Sequence, residues 1–342
     1  MYATSALAKL GYAFRPGPTG KKSDWVLRQK SDPEKGFEFK DQANYDEVAD
    51  AVVCYVQQQL TGLCDLVPLP LPSVPGEANG VVYGSANLRE HSGPLLVLVC
   101  GSAPGGAAGV WGRSLCINGS LHEGAMFDYI FRAQALGWAV LVANPNVNEL
   151  QGIPIAGSEC PQRHLCSLWR TYVETANASC VLVVAHSYGG PNVVNLLKAE
   201  PKARERIQAL AMTDGVAFPP GTLLQEKVPS EDQVRQSGKP EQEAALRRTL
   251  QHFATLAPSA FQPAGPEVVS CLASIGRNFQ ACEAPPGTPL AANCEGVTAV
   301  SSGHTSHPAT THAATKAVFA FLQHGAFGKA SAQNSDLRAA LA

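Results

Sequence analysis

The segment VLVVAHSYGGPNVVNLL, residues 181–197, decides the fold of this chain. It begins with a continuous apolar and largely β-branched run, which is typical of a strand buried on both faces. The small residues in its middle permit a sharp turn at Ser187. It ends with apolar residues spaced as on the packed face of a helix, which are Val193, Val194, Leu196 and Leu197. The segment therefore predicts a buried strand, a tight turn and a helix.

Apolar strands separated by helix-length stretches recur on both sides of this segment. The predicted strands are residues 80–88, 93–106, 137–146, 207–216 and 293–303, and the predicted helices are 123–136, 162–177 and 311–325. Such an alternation is typical of a mostly parallel sheet with helices on both faces. The sequence thus predicts an α/β protein, and the strand–turn–helix at Ser187 predicts the α/β-hydrolase fold within that class.

The positions of the prolines and the spacing of the apolar residues suggest where the domain begins. Residues 1–35 are interrupted by Pro16, Pro18 and Pro33, so a loop-rich N-terminal extension is expected there. Residues 36–325 are predicted to form a single α/β-hydrolase-like domain. An amphipathic helix is expected near its start, because valines recur on one helical face between residues 37 and 60.

Three further segments differ in composition from the strands and helices around them. Prolines between residues 68 and 75 predict an extended connection. Residues 217–266 are rich in proline and charge, with one helical patch at 241–256, and form a candidate lid. Residues 326–342 are small and polar, and a flexible C-terminal tail is expected there.

The net charge, the cysteines and the length of the apolar runs exclude some classes of protein. The 342 residues carry a formal net charge of −2, without the basic excess that direct nucleic-acid binding requires. The ten cysteines include no CxxC pair and several lie in apolar runs, so reduced, buried thiols are expected. The chain shows neither a secretory signal nor an apolar run of about 18 residues. We therefore expect an intracellular protein, cytoplasmic or nuclear, that does not insert into a membrane.

Ser187 is the candidate nucleophile. The nucleophile elbow of hydrolases reads G-x-S-x-G between a strand and a helix, because small neighbours keep the strained turn free of clashes. Here Ala185 and Gly189 occupy the two small positions. A plain strand-to-helix turn with a small polar residue is the alternative, and the apolar flanks on both sides favour the elbow.

A serine nucleophile needs a base and an acid, which follow it in the order Ser, acid, His in this fold. His304 and His307 follow the last predicted strand, and a third candidate, His312, opens the final predicted helix. His307 is the preferred base. Asp214 follows the strand after the elbow helix and is the preferred acid, although it would also suit a helix or turn cap. Glu283 is the alternative acid, since it lies near the commoner position, one strand later.

An oxyanion hole needs two backbone N–H donors. Tyr188 follows the nucleophile and should supply one of them. The turn with Gly101 and Ser102, at the end of a central strand, should supply the other, because glycine lets the backbone approach a substrate closely. A site of this kind requires neither a cofactor nor a metal, and none is predicted.

Taken together, the motifs of this chain resemble the argonaute-binding domain family, an α/β-hydrolase-like family that includes the animal cotranscriptional regulators. The stretches that carry the resemblance are LGYAF (10–14), FKDQANYDEVADAVVCYV (39–56), CGSAPGGAAGVWGRSLCIN (100–118), GWAVLVANPN (137–146), VVAHSYGG (183–190), LAMTDGV (210–216) and VSSGHTSH (300–307). The resemblance implies a Ser-Asp-His arrangement on Ser187, Asp214 and His307. It also implies argonaute or chromatin-associated proteins as partners, in small-RNA silencing or co-transcriptional regulation.

Two functions follow from these observations. The first is a serine hydrolase that acts on a small acyl or ester substrate, with an ester, thioester or amide bond to cleave. The second is a non-catalytic scaffold with a hydrolase fold that binds argonaute or chromatin proteins, because fold does not determine function. The sequence favours catalysis, since a serine, an acid, a histidine and glycine-rich turns all occur in the order that the chemistry needs.

Overall fold

The computed structural model describes residues 2–71, 79–102, 107–215, 240–291 and 296–327. The strands of this part are β1 (Tyr12–Pro16), β2 (Trp25–Gln29), β3 (Leu66–Leu71), β4 (Gly80–Ser85), β5 (Leu95–Val99), β6 (Ala139–Val142), β7 (Glu149–Leu150), β8 (Ile153–Pro154), β9 (Val181–His186), β10 (Ile207–Thr213), β11 (Gly276–Gln280) and β12 (Thr298–Ser301). The 3₁₀ turns are Pro258–Phe261 and His307–Ala309.

The α-helices of the same part are α1 (Tyr2–Lys9), α2 (Gln42–Gly62), α3 (Arg113–Asn118), α4 (Leu121–Gly124), α5 (Phe127–Ala135), α6 (Pro161–Leu168), α7 (Gly189–Ala199), α8 (Pro201–Arg206), α9 (Pro240–Leu256), α10 (Pro266–Ile275), α11 (Thr310–Ala313) and α12 (Thr315–Phe327). A π-helical turn, Trp169–Val173, extends α6. None of the described helices is both long and apolar enough to cross a bilayer.

Eight strands form one sheet in the order β12-β11-β10-β9-β5-β6-β4-β3. Strand β4 pairs antiparallel with both of its neighbours, and every other pairing in the sheet is parallel. Strands β5 and β9 lie at the centre and are buried along their whole length, which explains their continuous apolar sequences. This arrangement confirms the predicted fold class, an α/β-hydrolase fold with a mostly parallel sheet and helices on both faces.

Alternate residues of β9 show how the sheet divides the core. Leu182 and Val184 face a cluster that includes residues of α2, α5 and α12, whereas Val181 and Val183 face a cluster that includes residues of α6, α7 and α10. Because successive side chains of a strand point to opposite faces of the sheet, the single apolar run of β9 contributes side chains to both clusters. Because parallel strands end at the same edge, residues that follow β5, β9, β10 and β12 meet there.

The N-terminal residues differ from the loop-rich extension that the prolines suggest. They form helix α1 and the hairpin β1–β2, and the side chains of Leu7, Tyr12, Phe14 and Leu27 are buried in the same core as the sheet. Pro16 stands at the end of β1 and Pro18 in the turn, so neither interrupts the paired strands. The turn is closed by Asp24, whose carboxylate accepts a hydrogen bond from the N–H of Thr19 at 2.7 Å.

Other segments also depart from the sequence-based expectations. The proline-rich stretch contributes edge strand β3, where Pro68 and Pro70 are tolerated because only one side of the strand is paired. Strand β11 and helix α10 lie in a region where no element was predicted. Residues 217–239 of the candidate lid lie outside the described residues, and 240–256 form α9.

At the C-terminus, α12 continues through residues 326 and 327, and residues 328–342 lie outside the described part. The nine cysteines in the described part are all free thiols, as expected for reduced cysteines. Most of them are buried, and burial raises the pKa of Cys100 to about 12, so this thiol stays protonated beside the site described below.

Removal of the Leu27 side chain tests whether the N-terminal hairpin is part of the core. Leu27 is fully buried, so Leu27→Ala should lower the free energy of unfolding by about 2–5 kcal/mol, measured by chemical denaturation. The control is Ile153→Ala, because Ile153 is 60% exposed and its loss should change stability by no more than about 0.5 kcal/mol. Equal, small effects of both substitutions would contradict the structure.

Candidate active site

Ser187 lies at the sharp turn between β9 and α7. Its φ angle is +52°, a left-handed conformation that is uncommon for a residue other than glycine. The turn is held by two backbone hydrogen bonds, from the Ser187 N–H to Thr213 O at 3.1 Å and from the Gly190 N–H to Ser187 O at 3.1 Å. A Cβ atom at Gly189 would come within 2.8 Å of Val99 O. The small residue that the sequence shows there is therefore required by close packing against β5.

The structure brings His307 and Asp214 into line with Ser187. The Nε2 atom of His307 lies 3.0 Å from Ser187 Oγ, and its Nδ1 atom lies 2.6 Å from Asp214 Oδ2. Because the carboxylate only accepts hydrogen bonds, Nδ1 carries the proton and Nε2 is left to accept the hydrogen bond from the Ser187 hydroxyl. This is the geometry in which a histidine can take a proton from a serine.

Asp214 is placed by the backbone at the end of β10. Its φ angle is +47°, and its Oδ1 atom accepts a hydrogen bond from the N–H of Ala281 at 3.2 Å. Burial acts to raise the pKa of this carboxyl group, but the hydrogen bonds from His307 and Ala281 outweigh it, so the pKa lies below its ordinary value of 3.8. Asp214 is therefore ionised at neutral pH, as the orienting partner of a histidine must be.

A buried polar layer supports His307 from behind. The ring of His186 lies 4.9 Å from the ring of His307 and is 3% exposed. Its Nδ1 atom lies 3.0 Å from Thr213 O and 3.1 Å from Thr311 Oγ1. Burial lowers the pKa of His186 to about 4, so this histidine is neutral at physiological pH. It therefore places no positive charge against His307.

The alternative acid and bases are placed elsewhere. His304 is exposed, and its Nδ1 atom accepts a hydrogen bond from the N–H of Ser306 at 2.9 Å. Glu283 is also exposed, two residues beyond Ala281. The ring of His312 packs edge-on against His122 at 4.7 Å. Of the acids and bases considered from sequence, Asp214 and His307 are the pair assembled at Ser187.

The predicted oxyanion donors border the same point. Tyr188 caps α7, and N–H groups at the start of a helix have no acceptor within that helix. A Cβ atom at Gly101 would lie 2.9 Å from the Cβ and 3.4 Å from the Oγ of Ser187. Only glycine lets the backbone after β5 approach the nucleophile this closely. Ser102 lines the cavity beside it, while residues 103–106 of this turn lie outside the described part.

A cavity of about 180 Å³ opens beside Ser187. Its wall combines the site residues with apolar side chains and one guanidinium group, and its described lining is Cys100, Gly101, Ser102, Ala107, Val110, Trp111, Gly112, Arg113, His186, Ser187, His307 and Pro308. Trp111 is 6% exposed and packs edge-on against Tyr129 and His186. The cavity therefore offers a space of mixed polar and apolar character next to Ser187.

Asn146 is a candidate site residue to which the sequence assigned no role. Its Nδ2 atom donates a hydrogen bond of 2.8 Å to Gly101 O. The Gly101 carbonyl and the Ser102 N–H belong to one planar, trans peptide group, so they point in opposite directions. By holding the carbonyl, Asn146 sets the direction of the N–H. The signal in the sequence was Asn144-Pro145-Asn146 at the carboxyl end of a central strand.

The described residues give less support to a metal site or to a catalytic role for a second buried histidine, His164. Within the described ranges, no group of three or more His, Cys, Asp or Glu side chains is close enough together to hold a metal ion. His164 is fully buried and accepts a hydrogen bond from the N–H of Asn144 at 3.2 Å, while its Nδ1 lies 2.7 Å from Ser158 Oγ. Burial lowers the pKa of His164 to about 3, so this neutral histidine serves to fix the turn that carries Asn146.

Comparison with solved structures gives only partial likenesses. A histone deacetylase from Saccharomyces cerevisiae aligns with a TM-score of 0.49 at 12% identity, over 81% of this chain and 97% of that one. The histone deacetylase Clr3 aligns with a TM-score of 0.48 at 15% identity, over 85% of this chain and 41% of that one. An alpha-beta hydrolase from Vibrio vulnificus aligns with a TM-score of 0.40 at 10% identity, over 84% and 96% of the two chains. None of these likenesses bears on function.

Comparison of sequences is more informative. A FAM172 family protein homolog from Caenorhabditis elegans is 35% identical over 218 residues, which cover 63% of this chain and 66% of that protein. The cotranscriptional regulator ARB2A of Homo sapiens is 26% identical over 230 residues, 51% of this chain and 55% of that protein. The alignments thus span between about half and two thirds of these relatives. Residues 4–152 match the model of the Arb2 domain. Residues 4–152 of this chain therefore belong to the Arb2 domain family.

Proposed function

We propose that this chain is a serine hydrolase that cleaves an ester, thioester or amide bond of a small acyl substrate. One observation carries the proposal, namely the unbroken hydrogen-bonded series Asp214–His307–Ser187 at a strained strand-to-helix turn. Strained backbone of this kind persists only where the surrounding structure holds it in place, and it clusters at functional sites. Ser187 also opens onto a cavity, so a substrate can reach it.

The proposed reaction needs only side chains of this chain and water. The Ser187 oxygen attacks the substrate carbonyl carbon while His307 Nε2 takes the hydroxyl proton. Asp214 stabilises the imidazolium through its hydrogen bond to Nδ1. The tetrahedral intermediate collapses with cleavage of the bond to the leaving group, which receives the proton from His307. Water, activated by the same histidine, then attacks the acyl-enzyme and releases the acid and free Ser187.

The negative charge on the carbonyl oxygen must be stabilised during both steps. The backbone N–H of Tyr188, together with that of Gly101 or Ser102, is the proposed pair of donors. Gly101 brings this turn against Ser187, and Asn146 holds the peptide between Gly101 and Ser102. Asn146 is thus proposed to act as a positioning residue, since it fixes a donor without touching the substrate.

Labelling with a fluorophosphonate probe tests the nucleophile. The purified protein should react covalently with the probe, and Ser187→Ala should abolish labelling because the attacking oxygen is gone. His307→Ala should reduce labelling by about 100-fold or more, since the base is lost. His304→Ala is the matched control from the same loop and should label like the parent protein. Absence of labelling in well-folded parent protein would overturn the hydrolase proposal.

Substitution of Asn146 tests the donor from the turn after β5. Asn146→Ala should slow probe labelling and lower kcat for a p-nitrophenyl ester by about 10-fold or more, because one oxyanion donor is worth about 10²–10³ in kcat. Asn148→Ala is the matched control. Asn148 holds the same turn by donating to Pro145 O at 3.0 Å and Ser158 O at 2.7 Å. If both variants lose activity equally, Asn146 acts only through the integrity of the turn.

A second candidate function is a regulatory one, and the names of the relatives favour it over catalysis. We propose that the chain serves in co-transcriptional regulation or small-RNA silencing by binding argonaute or chromatin-associated proteins, and that it acts in the nucleus. The observation that favours this candidate is the match to proteins named cotranscriptional regulators in Homo sapiens and Dictyostelium discoideum. The two functions are compatible, since a hydrolase site and a binding surface can share one fold.

Affinity purification from the cells that express the protein separates the two candidates. The tagged parent chain and its Ser187→Ala variant should each recover an argonaute or chromatin-associated protein, identified by mass spectrometry, because binding does not need the serine hydroxyl. A Leu27→Ala variant, expected to be destabilised, gives the background of nonspecific recovery. Recovery of no such protein by either of the two stable chains would overturn the regulatory proposal and leave the hydrolase proposal unaffected.

A further inference from the structure

The cavity beside Ser187 contains a charged side chain that the proposed chemistry does not use. Arg113 is the first residue of α3 and lines the cavity together with Ser187 and His307. A guanidinium is protonated at every physiological pH and presents several N–H donors in a fixed plane. The cavity therefore combines a nucleophile with a permanent positive charge.

The position of Arg113 is fixed by its neighbours in the chain. The N–H groups of Trp111 and Gly112 both donate to Gly124 O, at 2.8 Å and 3.2 Å. A Cβ atom at Gly112 would be in ordinary contact with Pro308, at 3.4 Å, so this stretch lies directly against the turn that carries His307. The charge and the triad thus belong to a single wall, held together by backbone contacts.

The surroundings of Arg113 strengthen its attraction for an anion. Its side chain is 18% exposed, and the cavity wall next to it is formed largely by uncharged groups. An electrostatic interaction is stronger where water is excluded. Asp50 on α2 lies 3.8 Å from the guanidinium and is itself 71% exposed, so water screens the carboxylate end of this ion pair. A guanidinium carries five N–H donors, so the contact with Asp50 does not use its full donor capacity.

We propose that the preferred substrate is an ester or thioester whose acyl chain ends in a carboxylate, with Arg113 as the residue that determines this specificity. The inference rests on the proposed hydrolase function and names its substrate class. A guanidinium binds a carboxylate through two parallel hydrogen bonds. The volume of about 180 Å³ is below the range of about 300–1,000 Å³ that holds drug-sized ligands. The site therefore suits a short acyl chain, such as a dicarboxylic acid monoester.

The test compares two fluorogenic esters with acyl chains of equal carbon number. These are the 4-methylumbelliferyl esters of pentanoate, which is neutral, and of glutarate, which leaves one free carboxylate. Rates are corrected for uncatalysed hydrolysis. The parent protein should show a kcat/KM at least about 10-fold higher for the glutarate ester, since a hydrogen bond to a charged group is worth about a factor of 10 or more.

Two variants at Arg113 and one at Asp50 identify the origin of the preference. Arg113→Gln should remove most of the preference, mainly through a higher KM for the glutarate ester. Arg113→Lys should retain part of it, because the charge remains without the two-pronged geometry. Asp50→Asn should keep or increase it, since the competing carboxylate is gone. Thermal unfolding establishes that each variant is folded.

The outcomes separate failure of the inference from failure of the proposed function. Hydrolysis of both esters at similar kcat/KM, or a preference that persists in Arg113→Gln, would overturn the specificity and leave the hydrolase proposal standing. Hydrolysis of neither ester, together with absence of fluorophosphonate labelling at Ser187, would overturn the hydrolase proposal and the inference with it.

Discussion

The left-handed backbone at Ser187 is the constraint on which the rest of this site depends. A serine with a φ of +52° can persist only if its neighbours leave room for the turn and hold it by hydrogen bonds. Gly189 leaves that room against β5, and the carbonyl of Thr213 accepts the hydrogen bond from the Ser187 N–H. The Ser187 hydroxyl lies 3.0 Å from His307 Nε2, in the loop that follows β12. Asp214, His307 and the turn at Gly101 and Ser102 follow the ends of other strands of the same sheet.

Neutral, buried polar groups hold this arrangement without adding charge to it. His186 and His164 both have pKa values lowered by burial, to about 4 and about 3, so each acts as a hydrogen-bonding side chain and not as a cation. His186 supports His307, and His164 fixes the turn that carries Asn146. Within the described residues, the ionised groups near Ser187 include Asp214 and Arg113.

The family match and the triad occupy different parts of the chain. The Arb2 domain match covers residues 4–152, which include the N-terminal hairpin, Gly101, Arg113 and Asn146. Ser187, Asp214 and His307 follow beyond that match. The two parts are joined by the sheet. Strand β5 of the first part pairs with β6 on one side and with β9 of the second part on the other. The cavity at Ser187 is consequently built from both parts, and Arg113 and Ser187, the residues proposed for specificity and for nucleophilic attack, come from different segments of the chain.

The sequence by itself determined the fold class and the candidate nucleophile, because both depend on local patterns. Continuous apolar strands and small residues around Ser187 reflect burial and backbone space, which act on neighbouring residues. That Asp214 and His307 lie at Ser187, while Glu283 and His304 do not, was decided only by tertiary structure, since all four lie near the same edge of the sheet. The N-terminal hairpin was missed because its prolines lie at a strand end and in a turn, positions that composition does not distinguish. The roles proposed for Asn146 and Arg113 depend on the fold, which brings the ends of β5, β6 and β9 together.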